Sequence, residues 1–157
     1  MSSNIDDKKI LGALDVAEDL VGTWRLLSYE SLHDTGELVI PYTENPNGRL
    51  IYTREGDFSL HFHHPERPKY ASMDPIDCTP EECHLNFLFY TSYFGKYTLL
   101  ANEMAVVHHV DGASFPNWDG KDLKRFIQYE DGKLKLVSPE FIVRGDQVVG
   151  TLVWARL

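Results

Sequence analysis

Histidine is the residue type of this sequence best suited to proton transfer near neutral pH. The 157-residue chain carries seven histidines, and five of them fall in two short tracts, His61-Phe62-His63-His64 and His108-His109. Because the unperturbed pKa of histidine lies close to neutrality, these side chains are the first candidates for general acid–base catalysis. Side chains alternate between the two faces of a strand, so the pattern around each tract predicts which histidines point inward.

The first tract directs most of its imidazoles outward. The apolar residues of Phe58–His63 share one face, which places Phe62 inside and leaves His61 and His63 on the opposite face. His64 returns to the inner face near the rim. Two imidazoles on one strand face can bind zinc or iron, but their outward direction and the lack of an obvious fourth ligand argue against a metal. Haem would need an axial histidine in a wide cavity. We expect no metal and no other cofactor.

The second tract lies in Met104–Val110, a run that is apolar on both faces. If this run is a strand throughout, one of its two adjacent imidazoles must point inward. His108 is in phase with Met104 and Val106 and is the favoured one, while His109 remains the alternative.

Tyrosine, arginine and loop aromatics supply further candidates. Arg125 is in phase with Leu123 and Ile127, so it either points inward towards an anionic or enolic ligand oxygen or pairs outward with a surface acid. The loop Phe115-Pro116-Asn117-Trp118 carries two aromatics and is typical of the mouth of a cavity. The candidate catalytic residues are His108, His109, Tyr52, Tyr93 and Arg125. The candidate ligand contacts are Phe62, His64, Tyr90, Phe115, Asn117 and Trp118.

A β-rich chain must position these residues. Short β-prone runs are separated by turns such as Arg54-Glu55-Gly56-Asp57 and Glu130-Asp131-Gly132-Lys133, whose glycines supply the positive φ of tight hairpins. The predicted strands are Thr23–Ser31, Glu37–Ile40, Leu50–Thr53, Phe58–His63, Lys96–Leu100, Met104–Val110, Leu123–Tyr129, Leu134–Val137, Phe141–Val143 and Val148–Arg156.

One segment predicts a helix instead. Thr79-Pro80-Glu81-Glu82 is an N-cap with a first-turn proline and a capping-box glutamate, so a helix is expected over about residues 80–94, ending before Gly95. Its apolar stripe would consist of Cys83, Phe87, Tyr90 and Phe94. A short N-terminal helix is expected around Leu11–Leu20.

The number of strands favours a closed sheet. About ten antiparallel strands in one small domain leave exposed edges unless the sheet closes. The predicted fold is therefore all-β, a closed antiparallel barrel of about 8–10 strands with the helix near an opening. A two-sheet sandwich is the alternative.

Charge and composition limit the partners. The net charge is −9 and no basic run occurs, which argues against nucleic acid and anionic membranes. No stretch approaches the roughly 20 apolar residues of a membrane span, and the polar start Met1–Lys9 does not resemble a signal peptide. A cytoplasmic protein is expected, with Cys78 and Cys83 as free thiols. A homo-oligomer is compatible with the sequence.

Gly22-Thr23-Trp24, at the start of the first strand, resembles the Gly-x-Trp signature of lipocalins and the wider calycin group. In those barrels the tryptophan closes one end and an arginine near the end of the last strand stacks over its indole. Arg156 is placed to do this. The alternative is that Trp24 is an ordinary core residue and Arg156 is solvated.

A longer resemblance, from Leu20 to Leu157, is to the lipocalin-like domain family of small bacterial and fungal proteins. The phrases that carry it are Leu20-Val21-Gly22-Thr23-Trp24-Arg25-Leu26, Asn45-Pro46-Asn47-Gly48, Tyr93-Phe94-Gly95-Lys96-Tyr97, His108-His109-Val110, Phe115-Pro116-Asn117-Trp118 and Thr151-Leu152-Val153-Trp154. The resemblance implies a barrel domain over residues 20–157 with a cavity for small apolar molecules. Residues 1–19 form an N-terminal extension outside it.

Two functions fit these expectations. Phosphate-loop, dinucleotide and Gly-x-Ser-x-Gly motifs are missing from the sequence, which argues against phosphoryl and redox chemistry. The leading hypothesis is a cofactor-free isomerase or cyclase that folds an apolar polyketide- or terpenoid-like substrate, with His108 or His109 and a tyrosine moving protons. The other is a non-catalytic carrier or sensor of a small hydrophobic ligand.

Overall fold

The protein is a closed antiparallel β-barrel. The computed structural model describes residues 16–157. Within these residues, ten strands form one sheet in the order β2-β1-β3-β4-β5-β6-β7-β8-β10-β9, and an additional pairing of β1 with β10 closes it. Eight strands make the barrel, while the short strands β2 and β9 extend it beside the closing pair. The predicted barrel is confirmed, and the sandwich is not the fold.

The strands follow the chain with short connections. They are β1 (Gly22–His33), β2 (Leu38–Val39), β3 (Asn47–Tyr52), β4 (Asp57–His63), β5 (Tyr90–Leu100), β6 (Ala105–Ala113), β7 (Asp122–Glu130), β8 (Lys133–Val137), β9 (Phe141–Val143) and β10 (Asp146–Arg156). Helix α1 (Pro80–Leu88) separates β4 from β5, and 3-10 turns cover Ala101–Glu103 and Pro116–Trp118.

Only part of the helix predicted at the N-terminus lies within the described residues. Residues 16–20 are helical, in agreement with the end of the helix predicted over Leu11–Leu20, while its first part lies outside the described residues. The boundary between an extension (residues 1–19) and a barrel domain (residues 20–157) stays a prediction.

One end of the barrel is closed by Trp24. Its side chain is buried, and its indole Nε1 donates a hydrogen bond to the carbonyl oxygen of Leu20 over 3.0 Å. The guanidinium of Arg156 lies 4.2 Å from the centre of the Trp24 ring and donates to the carbonyl oxygen of Val21 over 2.8 Å. The predicted cation–π pair is therefore confirmed.

Gly22 makes room for this arrangement. Its φ is 142°, and a Cβ there would lie 2.5 Å from Nη1 of Arg156. The two residues of the Gly-x-Trp signature thus act together: Trp24 supplies the ring on which Arg156 stacks, and Gly22 leaves room for the guanidinium.

Helix α1 begins where predicted but ends early. The backbone N–H of Glu82 donates to Oγ1 of Thr79 and that of Thr79 donates to Oε2 of Glu82, which is the expected capping box. The helix ends at Leu88, so its predicted extent to Phe94 is wrong, and Tyr90 and Phe94 pair with His63 and Ser59 of β4 instead. As a strand, β5 forms backbone hydrogen bonds with both β4 and β6. These two ladders stabilise the strand more than the apolar spacing would stabilise a longer helix.

Gly95 belongs to a bulge in β5 rather than to a helix end. The register between β5 and β6 shifts after Phe94, because Asp111 is the extra residue between the pairs Phe94–Gly112 and Gly95–Val110. A Cβ at Gly95 would collide with the backbone carbonyl oxygen of His109. The glycine therefore allows the close approach of two strands.

Cys78 and Cys83 form a disulfide. The expectation of two free thiols is wrong, because the first turn of α1 brings Cys83 back to the residue that precedes the N-cap. The bridge fastens the loop after β4 to the start of α1. Within the described part of the chain, none of the helices is long and apolar enough to cross a membrane. The cytoplasmic location expected from the sequence stays a prediction.

Candidate ligand-binding cavity

A cavity of about 250 Å³ occupies the interior of the barrel at the end away from Trp24. Strands β1, β4, β5, β7, β9 and β10 contribute to its wall, together with the 3-10 turn after β6 and the connection from β8 to β9. Its aromatic and aliphatic wall residues are Tyr29, Phe62, Tyr93, Trp118, Leu123, Phe141 and Leu152. Exposed Pro139 and Glu140 lie at its rim, so the cavity opens there.

The aromatic part of the wall is held by contacts between aromatic rings. The ring centre of Phe62 lies 5.2 Å from that of Tyr29 and 5.5 Å from that of Tyr42. The hydroxyl of Tyr42 lies 2.7 Å from Oγ1 of Thr91, which connects this cluster to β5. On the other side, Tyr93 packs edge-to-face on Trp118 at 5.6 Å. These contacts fix rings of five different segments before any ligand binds.

Gly150 leaves space in the wall of β10. Gly150 lies at an inward-facing position of β10 but has no side chain to fill it. A Cβ there would lie 3.5 Å from side-chain atoms of Phe141 and Ser138. The N–H of Gly150 donates to Oγ of Ser138, and the N–H of Ser138 donates to the carbonyl oxygen of Gly150, both over 2.8 Å. Ser138 thereby anchors the segment that forms the rim.

Arg125 brings a positive charge into this apolar wall. Its alternation with Leu123 and Ile127 turns it inward, as one of the two orientations left open by the sequence. Its Nη1 donates to the carbonyl oxygen of Lys124 over 2.8 Å. Among residues 16–157, no carboxylate lies within 4.0 Å of the guanidinium and no aromatic ring stacks on it. The neighbouring Lys124 instead forms an ion pair with Glu103.

His108 and Tyr52 form a buried pair in the core. Oη of Tyr52 lies 2.6 Å from Nε2 of His108, and neither side chain is more than 1% exposed. Phe58 stacks on the imidazole at 4.1 Å between ring centres. Within the described part of the chain, Nδ1 of His108 has no hydrogen-bond partner. Neither residue is part of the cavity wall.

Burial keeps this pair neutral. It lowers the pKa of His108 well below its ordinary value, and the positive charge of Arg125 acts in the same direction. Burial also raises the pKa of Tyr52 well above its ordinary value. At physiological pH the pair is therefore an uncharged phenol and an uncharged imidazole joined by a hydrogen bond.

His109 lies on the outer surface. Its Nδ1 donates to Oδ1 of Asp122 over 2.7 Å, and its Nε2 lies 2.8 Å from Oγ1 of Thr98. Strand β6 therefore turns His108 inward and His109 outward, as the phase with Val106 favours. Met104 does not share that phase, because it adopts a left-handed turn with a φ of 47° immediately before β6.

A family model that matches nearly the whole barrel identifies the family of this chain. The model of the family described as "Lipocalin-like domain" matches residues 21–157. The chain belongs to this lipocalin-like family. The resemblance carried by the sequence phrases is thereby confirmed.

A curated relative of this lipocalin-like protein is 4'-hydroxy-3'-methoxypropiophenone carrier protein ppsC of Aspergillus oryzae. It is 27% identical over 101 residues, which cover 59% of this chain and 90% of the relative. Among solved structures, a lipocalin-like protein of Bacteroides uniformis is 13% identical, with 88% of this chain and 99% of that chain covered and a TM-score of 0.44. A mutant of the fluorescent protein UnaG is 16% identical, with 88% and 96% covered and a TM-score of 0.38.

The lipocalin-like barrel gathers four of the predicted residues at the cavity. Tyr93, Arg125, Phe62 and Trp118 line it. Phe115 packs on Trp118 at 5.5 Å, behind the wall. Tyr52 and His108 lie in the core, and His109 lies outside.

The remaining predicted ligand contacts lie away from the cavity. Asn117 is exposed in its 3-10 turn. His64 packs edge-to-face on Phe89. Because Tyr90 belongs to β5 rather than to a helix, it lies on the outer face, stacked on His63 at 5.3 Å and covered by Arg67 at 4.6 Å.

The outward direction of His61 and His63 agrees with the alternation of β4. Residues 16–157 hold no group of three or more His, Cys, Asp or Glu arranged to bind a metal ion.

Several wall residues were not among those predicted from the sequence, including Tyr29, Thr91, Gly150 and Leu152. Strand alternation in β10 assigns Gly150 and Leu152 to the inner face together with Trp154. Tyr29 carries no such signal, because a register shift between Leu26 and Ser28 changes the phase of β1. Without that shift, the alternation from Trp24 and Leu26 would place Tyr29 outside.

Proposed function

We propose that this lipocalin-like protein is a carrier that binds one small, mainly aromatic molecule without reacting with it. The observation that carries the proposal is the open cavity of about 250 Å³ with its aromatic wall. Pockets of this kind bury most of the surface of a small ligand and use a few polar groups to orient it. Its size suits a single substituted aromatic ring rather than an extended polyketide or terpenoid.

The relative from Aspergillus oryzae supports a carrier. Its name describes it as a carrier of 4'-hydroxy-3'-methoxypropiophenone, a small aryl ketone with a phenolic oxygen. We propose a ligand of the same general class for this chain. The edge-to-face rings around Phe62 and Tyr93 would hold such a ring by aromatic contacts.

The position of the buried pair favours a carrier over acid–base catalysis by histidine. A general base must come within hydrogen-bond reach of the proton that it removes. His108 and Tyr52 do not line the cavity, and Phe58 stacks on the imidazole. Their contribution is better explained as core packing with one satisfied hydrogen bond.

A cofactor-free isomerase or cyclase is the second candidate, and Tyr93 and Arg125 favour it. Both line the cavity, where a phenolic hydroxyl and a guanidinium would polarise a carbonyl oxygen of the bound molecule. Confinement of a flexible substrate could remove up to about 7–11 kcal/mol of the barrier. This candidate retains the predicted reaction class but moves the chemistry away from the histidines.

Native mass spectrometry of freshly purified protein, followed by incubation with 4'-hydroxy-3'-methoxypropiophenone and related aryl ketones, separates the two. A carrier retains the ligand unchanged at one molecule per chain. An isomerase or cyclase releases a rearranged product from a reactive precursor.

A cavity-filling variant supplies the matched control. Gly150→Leu places a side chain against Phe141 and Ser138 and should abolish binding. Thr151→Leu, the next residue on the opposite face of β10, should bind normally. Equal binding by both variants, or no binding of any small aromatic molecule by the unmodified protein, would refute a cavity carrier.

A further inference from the structure

Arg125 is a charged side chain for which the cavity provides no counter-ion. It is partly buried, and its one hydrogen bond, to the carbonyl oxygen of Lys124, uses only Nη1. The remaining guanidinium donors have no hydrogen-bond partner among residues 16–157 and belong to a side chain in the cavity wall. A partly buried cation in an otherwise apolar wall is less favourable without a counter-ion than with one, so this position of Arg125 favours an anionic occupant.

Other arginines of the chain contrast with it. Arg156 stacks on Trp24 and donates to two backbone carbonyl oxygens, and Arg67 covers Tyr90 and donates to Asn86. In each of them the guanidinium stacks on an aromatic ring of the protein. Arg125 has only the contact to the preceding residue, and it is the one that faces the cavity.

The groups around the cavity leave this charge uncompensated. Tyr29 lines the same cavity and, because burial raises its pKa, remains neutral. Burial and the positive charge of Arg125 hold the pKa of His108, behind the wall, well below its ordinary value, so it adds no second charge. The two carboxylates of the wall lie at its exposed edge, where Asp122 is bound to His109 and Glu140 is open to solvent.

We propose that Arg125 binds an acidic oxygen of the ligand, a phenolate, enolate or carboxylate attached to an otherwise apolar, aromatic body. The inference rests on the proposed binding function and narrows its ligand class. A guanidinium binds an oxyanion through charge-assisted hydrogen bonds, which are the strong ones in a partly desolvated site. Rings of the wall would hold the apolar body, while Arg125 fixes its direction in the barrel.

Two probes that differ only in the acidic oxygen test this assignment. 4-Nitrophenol at pH 8 is mostly a phenolate, and 4-nitroanisole is its neutral methyl ether. Both nitroaryl groups quench tryptophan fluorescence, and Trp118 lies in the cavity wall, so titrations of the full chain give both Kd values. The absorbance band of bound 4-nitrophenol reports whether the phenolate form is the one that binds.

Arg125→Met replaces the cation by an apolar side chain of similar length. We expect the Kd for 4-nitrophenolate to rise about 10- to 100-fold, as for loss of a hydrogen bond to a charged group. The Kd for 4-nitroanisole should change little. Arg125→Lys should keep part of the preference for the phenolate. Thermal unfolding of each variant verifies that it is folded.

Arg49→Met is the matched control. Nη1 of Arg49 also donates to the carbonyl oxygen of the preceding residue, over 2.9 Å, but its side chain is exposed on the outer face of β3. Both affinities should remain unchanged in this variant.

The outcomes distinguish failure of the Arg125 assignment from failure of the proposed carrier function. If both probes bind but Arg125→Met leaves the phenolate affinity unchanged, or Arg49→Met lowers it equally, the acidic-oxygen assignment is overturned while the cavity carrier survives. If neither probe quenches the fluorescence of the unmodified protein, the carrier function and the assignment fail together.

Discussion

Oη of Tyr52 and Nε2 of His108 approach to 2.6 Å in the core of the barrel. The pair joins β3 to β6, two strands that are not neighbours in the sheet. It therefore spans the barrel interior rather than strengthening a ladder. The same residues that look catalytic by type thus act as a polar crosslink in an apolar core.

Removal of one partner of this crosslink should destabilise the fold without changing ligand affinity. Tyr52→Phe leaves Nε2 of His108 buried without its partner, which should lower the free energy of unfolding by about 1–3 kcal/mol. The double variant Tyr52→Phe with His108→Leu removes both polar groups and should lose less than the sum of the single variants. Urea denaturation measures each value. A large loss of ligand binding in a variant that remains folded would contradict a structural role.

Stability should decrease below pH 6.5 because of His108. Its pKa in the folded state is held well below the ordinary value of 6.5 by burial. As the pH falls below 6.5, His108 becomes protonated in the unfolded chain but stays neutral in the folded chain. The free energy of unfolding therefore falls by at most about 1.4 kcal/mol per pH unit. His108→Leu should remove this slope, whereas His84→Leu, at an exposed position of α1, should retain it. Equal slopes in all three proteins would rule out His108 as the source.

The space beside Arg156 should make Gly22 intolerant of substitution. Gly22→Ala brings a Cβ to 2.5 Å from Nη1 of Arg156 at a φ of 142°, and should cost more than about 1 kcal/mol of stability. Gly36→Ala is the comparison, because its φ is also positive but its Cβ meets no atom within 4 Å. Thermal unfolding should place Gly22→Ala below Gly36→Ala. The reverse order would show that the guanidinium moves aside freely.

The disulfide should stabilise α1 and its loop while leaving the cavity intact. Cys78→Ala with Cys83→Ala should lower stability by at most about 2 kcal/mol, since the bridge closes a short loop. Hydrogen exchange should rise over residues 64–88, while the Kd for 4-nitroanisole stays the same. The mass of the unreduced protein, two hydrogen masses below that of the reduced one, verifies the bridge. Protection lost throughout the barrel would indicate a larger role.

The sequence predicts the parts of this structure that depend on strand periodicity and on capping. The preference for an inward His108 over His109 and the N-cap of α1 at Thr79 follow from such local rules. The end of α1 does not, because Tyr90–Leu100 becomes a strand only through its partners β4 and β6. The position of Tyr29 depends on a register shift in β1, which no periodicity within that strand announces.

The candidate site is predicted less completely than the fold for the same reason. The inward position of Phe62 follows from alternation within β4, whereas the sequence left Arg125 with two possible orientations. The rim depends on Ser138, whose two hydrogen bonds to Gly150 form only once β8 and β10 are paired. Such contacts between distant segments are a property of the assembled barrel.

The pairing of β1 with β10 makes the last strand the step that completes folding. Arg156 and Val21, joined at this seam, are 135 residues apart in the sequence. Until β10 emerges from the ribosome, β1 lacks one of its neighbours and the hollow interior has an open side. Contacts of such large sequence separation slow folding, so we expect closure of the β1–β10 seam to be slow relative to formation of the hairpins.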